Sequence, residues 1–215
     1  MWRDERRAIL RLLGPVGGKR ILDAGAGDGR LAVELAALGA EVTALDISPA
    51  MLSRAARRAH KNGARITTIQ GDLSALPFPA DAFDRVISVT VLCFVSQPLQ
   101  AVRELSRVLV PGESLVIGDL GRWSAWNLHR RMRGRMGDPR WSQARFWTRR
   151  TLNRLLRHAH LDPEGWSSAV FYTPGIHDRS WVRRMEHALR DRMAIGAAFL
   201  AVRGTKPGVD RRAYS

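Results

Sequence analysis

The chain of 215 residues reads as an α/β protein with a doubly wound, mostly parallel sheet. Three observations predict this. Strand-like and helix-like segments alternate five times between Arg20 and Asp119. A glycine-rich turn, Ile21 to Gly29 (ILDAGAGDG), joins the first strand to the first crossover helix. Acidic residues stand at the carboxyl ends of three successive strands, where open α/β sheets hold their ligands.

Met1 to Leu13 reads as a helix with Ile9, Leu10, Leu12 and Leu13 apolar, stopped by Gly14-Pro15 and Gly17-Gly18 and expected to pack beside the mouth of the site. The first strand ends at Asp23. Gly25 and Gly27 permit positive φ and leave no Cβ between backbone and ligand, and Arg30 to Leu38 then has an apolar helical face. Glu41 to Ile47 is a second strand ending in Asp46. Ser48-Pro49 starts the next helix with a cap residue and a proline at its first position, and Asn62-Gly63 ends it. Arg65 to Gln70 is the third strand, running into Gly71-Asp72-Leu73. Phe83 to Val95 is apolar enough for a central parallel strand. Pro98 to Leu109 is helical, with Leu99, Val102, Leu105 and Leu109 near one face, and Pro111-Gly112 turns the chain into a fifth strand, Ser114 to Asp119.

After Leu120 the alternation breaks. Gly121 to Trp147 interleaves Trp123, Trp126, Trp141 and Trp147 with arginines, and Gly134, Gly137 and Pro139 interrupt any long helix. Thr148 then caps a helix in which Leu152, Leu155, Leu156 and Ala159 are spaced for one buried face. Trp166 to Tyr172 and Ala194 to Arg203 are the sixth and seventh strands, with 173–193 between them. One domain is expected over 1–204 and a loose tail over 205–215.

The turn reads D-x-G-x-G-x-G. A dinucleotide loop, G-x-G-x-x-G, has its third small residue where this chain has Arg30, and carries no carboxylate two residues before the first glycine. Asp46 follows that glycine by about twenty residues, where a carboxylate meets a ribose diol. The turn resembles motif I of the class I S-adenosylmethionine-dependent methyltransferases. Leu76 to Ser88 (LPFPADAFDRVIS) is similar to the same segment in the broad subfamily that includes the ubiquinone and menaquinone methyltransferases. The resemblance covers Arg20 to Leu120 well and the rest only in outline. It implies a Rossmann-like seven-stranded sheet whose last two strands form an antiparallel edge hairpin, here with insertions after the fifth and sixth strands. It also implies S-adenosylmethionine as cofactor. Asp23 would face the amino end of its methionine moiety while Gly25, Gly27 and Gly29 run under the cofactor, Asp46 would meet its ribose, and Asp72 with the backbone of Leu73 its adenine; Ala24, Ile47 and Thr90 complete the set. Taken singly, each glycine also reads as a tight turn and Asp46 as a helix cap.

The resemblance implies an enzyme that transfers a methyl group, and alignment alone can carry much of that barrier. His129 and His177 are the candidate bases, each also readable as a surface or packing histidine. The exocyclic-amine nucleic-acid methyltransferases carry an Asn/Asp-Pro-Pro-aromatic motif where this chain has SVTVLCFV from Ser88, and the Pro-Cys of the pyrimidine C5 enzymes is absent because Cys93 follows Leu92. Both absences favour a small-molecule acceptor, aromatic or apolar given the tryptophans. The lid over it is expected in 121–147 and 173–193, with Trp123, Trp126 and Trp147 touching the acceptor. Two alternatives stand beside this: an RNA methyltransferase using arginines for phosphates and tryptophans for bases, and a non-enzymatic cofactor-binding or partner-binding protein.

The formal net charge is +15, and only Lys19, Lys61 and Lys206 are lysines. Such an arginine excess reads either as base composition or as a surface for a polyanion, which would lie in Arg122 to Arg192, where acids are few; a basic amphipathic surface resting on a membrane is the remaining reading. No stretch is long and apolar enough for a membrane span, and the charged start lacks the core of a signal peptide. With Cys93 as the single cysteine, neither an internal disulfide nor a cysteine-rich zinc site is expected, no metal is expected, and the expected location is the reducing cytoplasm.

Overall fold

A computed structural model describes residues 2–139, 141–172, 184–185, 188–189 and 192–208. Its elements run α1 (Trp2–Leu13), β1 (Arg20–Ala24), α2 (Arg30–Ala37), β2 (Glu41–Asp46), α3 (Pro49–Lys61), β3 (Ile66–Gln70) and β4 (Phe83–Val89). There follow α4 (Pro98–Arg107), β5 (Leu109–Leu120), α5 (Ala125–Arg135), α6 (Arg149–His158), β6 (Asp162–Ala169) and β7 (Phe199–Thr205). The sheet order is β3-β2-β1-β4-β5-β7-β6; β1 to β5 pair in parallel and β7 runs antiparallel to both neighbours.

Strand periodicity divides the core in two. Ile21, Ile87, Val116, Phe199 and Ala201 face α1 and α2, whereas Leu22, Val86, Leu115, Leu200 and Val202 face α4 and α6. Successive residues of a strand point to opposite faces, so the near-continuous apolar runs of β4 and β5 are what a sheet covered on both sides requires. Local signals set the helix ends as expected: the Ser48 hydroxyl accepts the Met51 N–H with Pro49 following, and Thr148 and Thr151 form a reciprocal capping box.

Several boundaries differ from the sequence reading. The fourth strand stops at Val89 rather than Val95, because Thr90 takes a positive φ of 57° and the chain turns; Leu92 and Cys93 stay fully buried by folding back onto the core. The fifth begins at Leu109, and Pro111-Gly112 lies in a bulge within it. The sixth spans Asp162–Ala169 rather than Trp166 to Tyr172, closed by the positive φ of Val170, and the seventh starts at Phe199 rather than Ala194. The tail is not loose at its start: Thr205 pairs with Ser114, and the Lys206 ammonium donates to Asp81 and to the Leu109 carbonyl. Residues 209–215 and most of 173–193 lie outside the described residues.

Candidate active site

The strand order reverses between β1 and β4, and a ligand crevice is expected at that switch point. A cavity of about 770 Å³ opens there. The glycine turn, Asp46-Ile47, the Asp72 loop and the segment after β4 wall it, and Trp2 and Glu5 close it from α1.

The turn is held from β2. Gly25 and Ala26 donate their N–H groups to the Leu45 carbonyl, and the Gly27 N–H donates to Asp46 Oδ2 at 2.8 Å. Asp46 Oδ1 accepts the Ser48 N–H at 2.9 Å. A carboxylate has about four acceptor positions, so two remain for a diol. Gly27 has φ of +54°, and a Cβ there would stand in open space. At Gly25, φ +83°, a Cβ would come within 2.3 Å of Val91.

Asp23 lies beneath the turn, 2% exposed, yet it lines the cavity. Burial, with Asp46 nearby, pushes its carboxyl up to about 7 against the opposing bond from the Ala32 N–H, and its Oδ2 has no hydrogen-bond partner among the described residues. An acceptor atom held dry and unpaired at a cavity wall is stabilised by an incoming cation or N–H donor. Asp72 is exposed, and Ser74 satisfies one of its oxygens through both N–H and hydroxyl, which lowers its pKa. Thr90 keeps its strained backbone by donating its N–H to the Gly118 carbonyl at 2.7 Å.

Asp119, fully buried at the end of β5, pins the loop after β4: it accepts the Cys93 N–H at 3.0 Å and the Leu120 N–H at 2.7 Å. Burial raises its carboxyl to about 6 and pushes the Cys93 thiol up as well. Cys93 is therefore a core residue and no nucleophile.

The structure brings Asp23, Gly25, Gly27, Asp46, Ile47, Asp72, Leu73 and Thr90 to one cavity. Ala24 and Gly29 do not line it. Ala24 is buried in the core, and Gly29, φ +73°, precedes α2 where an added Cβ would lie 2.6 Å from that of Ala55. Trp123, Trp126, Trp147 and His129 are not on its walls either. Trp147 is 8% exposed and sits in the core with Leu152 and Leu200, bonded through its backbone to Leu120 and Arg122. Trp126 packs on the α1 side of the core under the Arg130 guanidinium, Trp123 is exposed, and His129 is exposed on α5. His177 lies outside the described residues. Sequence reasoning missed Trp2 and Glu5, although a signal exists: the buried stripe Ala8, Ile9, Leu12 and Leu13 of α1 continues back at helical spacing through Glu5 to Trp2. Burial raises the Glu5 carboxyl, opposed in part by the nearby Arg130.

A sheet of this order with D-x-G-x-G-x-G after β1 and carboxylates after β2 and β3 defines the fold of the class I S-adenosylmethionine-dependent methyltransferases. Residues 22–117 match the family described as Methyltransferase domain. The chain is 42% identical over 112 residues to a demethylmenaquinone methyltransferase of Clavibacter sepedonicus, covering 52% of this chain and 45% of that protein. It superposes with a TM-score of 0.75 and 26% identity on a SAM-dependent methyltransferase of Thermotoga maritima, described as a possible histamine N-methyltransferase, over 95% of this chain and 89% of that one. It also superposes, with a TM-score of 0.67 and 26% identity, on the cyclase SpnF, over 90% of this chain and 76% of that one. The family match and these relatives support a class I S-adenosylmethionine-dependent methyltransferase. It spans about half the length of the curated relatives it matches.

Proposed function

We propose that the protein transfers a methyl group from S-adenosylmethionine to a small apolar or aromatic acceptor. The observation that supports this best is the sharing of one cavity by Asp23, Asp46, Asp72 and the glycine turn with Trp2, Val89, Val91 and Phe94. Its volume is in the range of small-molecule sites. Its polar part fits the cofactor: the unpaired Asp23 oxygen suits the ammonium, the two remaining positions on Asp46 a ribose diol, and the free oxygen of Asp72 the adenine amine. When bound, the cofactor supplies a methyl on a sulfonium whose charge is lost on transfer. The apolar part excludes water, and positioning can account for about 7–11 kcal/mol of the barrier.

Of the carboxyls on the cavity wall, Asp23 lies beneath the glycine turn and is assigned to the cofactor ammonium, Asp28 is paired with Arg58, Asp46 is bonded within its turn and Asp72 to Ser74. Glu5 has no hydrogen bond to the described residues, so it is the group positioned to take the proton of a hydroxyl or amine acceptor. The Clavibacter relative is named for methylation of demethylmenaquinone, which is consistent with this acceptor class.

Calorimetry with S-adenosylmethionine, S-adenosylhomocysteine and NAD tests the cofactor, with saturable binding expected for the first two and none for NAD. Incubation with methyl-labelled cofactor against a reduced naphthoquinone, aromatic amines and RNA tests the acceptor. Label confined to RNA would replace the acceptor class, and cofactor binding with no transfer to any of them would favour a non-enzymatic role.

A further inference from the structure

Helix α5 carries an exposed apolar stripe that no part of the methyl-transfer reading uses. Leu128, Met132 and Met136 succeed one another every fourth residue and are 48%, 53% and 84% exposed. Helical spacing puts Arg131 and Arg135 along one side of this stripe and His129 and Arg133 along the other. The opposite face anchors the helix. Asn127, fully buried, donates to the carbonyls of Gly121 and Ala198 at 2.7 and 2.8 Å, and Gly134 lies against the backbone of Trp141.

The apolar surface does not end with the helix. The Gly196 N–H donates to the Trp123 carbonyl at 2.6 Å, which sets exposed Ile195 beside exposed Trp123 at the start of α5. On the anchored face, the Arg130 guanidinium lies 4.7 Å from the Trp141 ring, and that ring lies 6.4 Å from Phe94, a half-exposed residue of the cavity wall.

We propose that α5 is a docking face for an anionic phospholipid surface, lying in the interface with Leu128, Met132 and Met136 among the acyl chains and its flanking arginines at the headgroups. Charge complementarity selects the occupant: the stripe is bordered by cations, and Asp138, the acid nearest it among the described residues, is paired with Arg133 at 2.8 Å. The stripe itself is aliphatic, whereas an RNA surface would present flat rings for stacking. The inference does not depend on methyl transfer.

The test is co-sedimentation of the full chain with vesicles of phosphatidylcholine containing phosphatidylglycerol, and with phosphatidylcholine alone. Strong partitioning to the first, weak partitioning to the second and a decline with added salt are expected. The triple substitution Leu128→Ser, Met132→Ser, Met136→Ser lowers the partition coefficient at least about tenfold. Its S-adenosylhomocysteine affinity, measured in parallel, stays at the wild-type value. Should the triple variant fail to fold, Met136→Ser and Arg135→Glu, both at exposed positions, are each expected to weaken partitioning. Equal partitioning of wild type to both vesicles, undiminished partitioning of the substituted proteins, or binding to RNA with none to either vesicle overturns the proposal.

Discussion

Replacing Asp23 with Asn separates the cost of this buried carboxyl from its use. In the folded protein the group titrates at about 7, against an ordinary value of 3.8, because it is buried and faces Asp46. Between these values the unfolded chain has released its proton and the folded chain has kept it, so the folded state binds more protons. Stability therefore falls as pH rises from about 4 to about 7 and stays low above that. The interval corresponds to about 4 kcal/mol. Asparagine does not titrate, and its Oδ1 still accepts the Ala32 N–H. Without ligand, Asp23→Asn is expected to be more stable than wild type at pH 8 by up to about 4 kcal/mol, with the gap closing toward pH 4. Its affinity for S-adenosylhomocysteine falls about tenfold or more, since a charge-assisted hydrogen bond of about 1.5–3 kcal/mol is lost. Wild-type affinity rises between pH 5.5 and 8 as about 7 is passed, whereas that of the variant is flat. Urea unfolding at pH 5 and pH 8, with calorimetry at both, measures each quantity. A variant less stable than wild type at pH 8, or one that binds as well, refutes the reasoning.

The other expectations concern neighbouring parts of the site. Gly27→Ala, with open space around its Cβ, costs about 1–2 kcal/mol from its left-handed backbone but sharply weakens cofactor binding, while Gly29→Ala forces apart α2 and α3 and destabilises the fold itself; thermal melts and calorimetry distinguish the two. Trp147→Ala is expected to cost about 3–5 kcal/mol in denaturant unfolding as a core truncation, and equal stability would return the residue to the lid. Glu5→Gln should leave S-adenosylhomocysteine affinity nearly unchanged and lower kcat by about 10²–10⁴ toward a proton-bearing acceptor, whereas a collapse of cofactor affinity would assign Glu5 to the cofactor instead.

The cavity wall built from β1, β2 and the loop after β3 was legible because its determinants are local. Gly25, Gly27 and Gly29 all have the positive φ that their residue type permits, and Asp23 and Asp46 lie at the ends of β1 and β2, with Asp72 two residues beyond β3, in strands whose alternation is visible in the chain. Boundaries after Asp72 were less legible, because burial is not a strand signal alone. Leu92 and Cys93 look like a continuation of β4, yet they are buried in a loop that the distant Asp119 holds.

By itself, then, the sequence determined the sheet, its switch point and the residues at the strand ends, since period, turn chemistry and helix caps act within a few residues. Only the tertiary structure decided which aromatic and acidic side chains meet the cavity. Trp147 and Trp2 are alike as residue types, but one is packed between α6 and β7 and the other is brought by α1 to the mouth of the site. Glu5 and His129 divide the same way: α1 lies across the β5, β6 and β7 side of the sheet and carries Glu5 to the wall, whereas α5, tied down by Asn127, points His129 outward. The direction in which a helix presents a side chain depends on what covers its other face, and that is a contact between residues far apart in the chain.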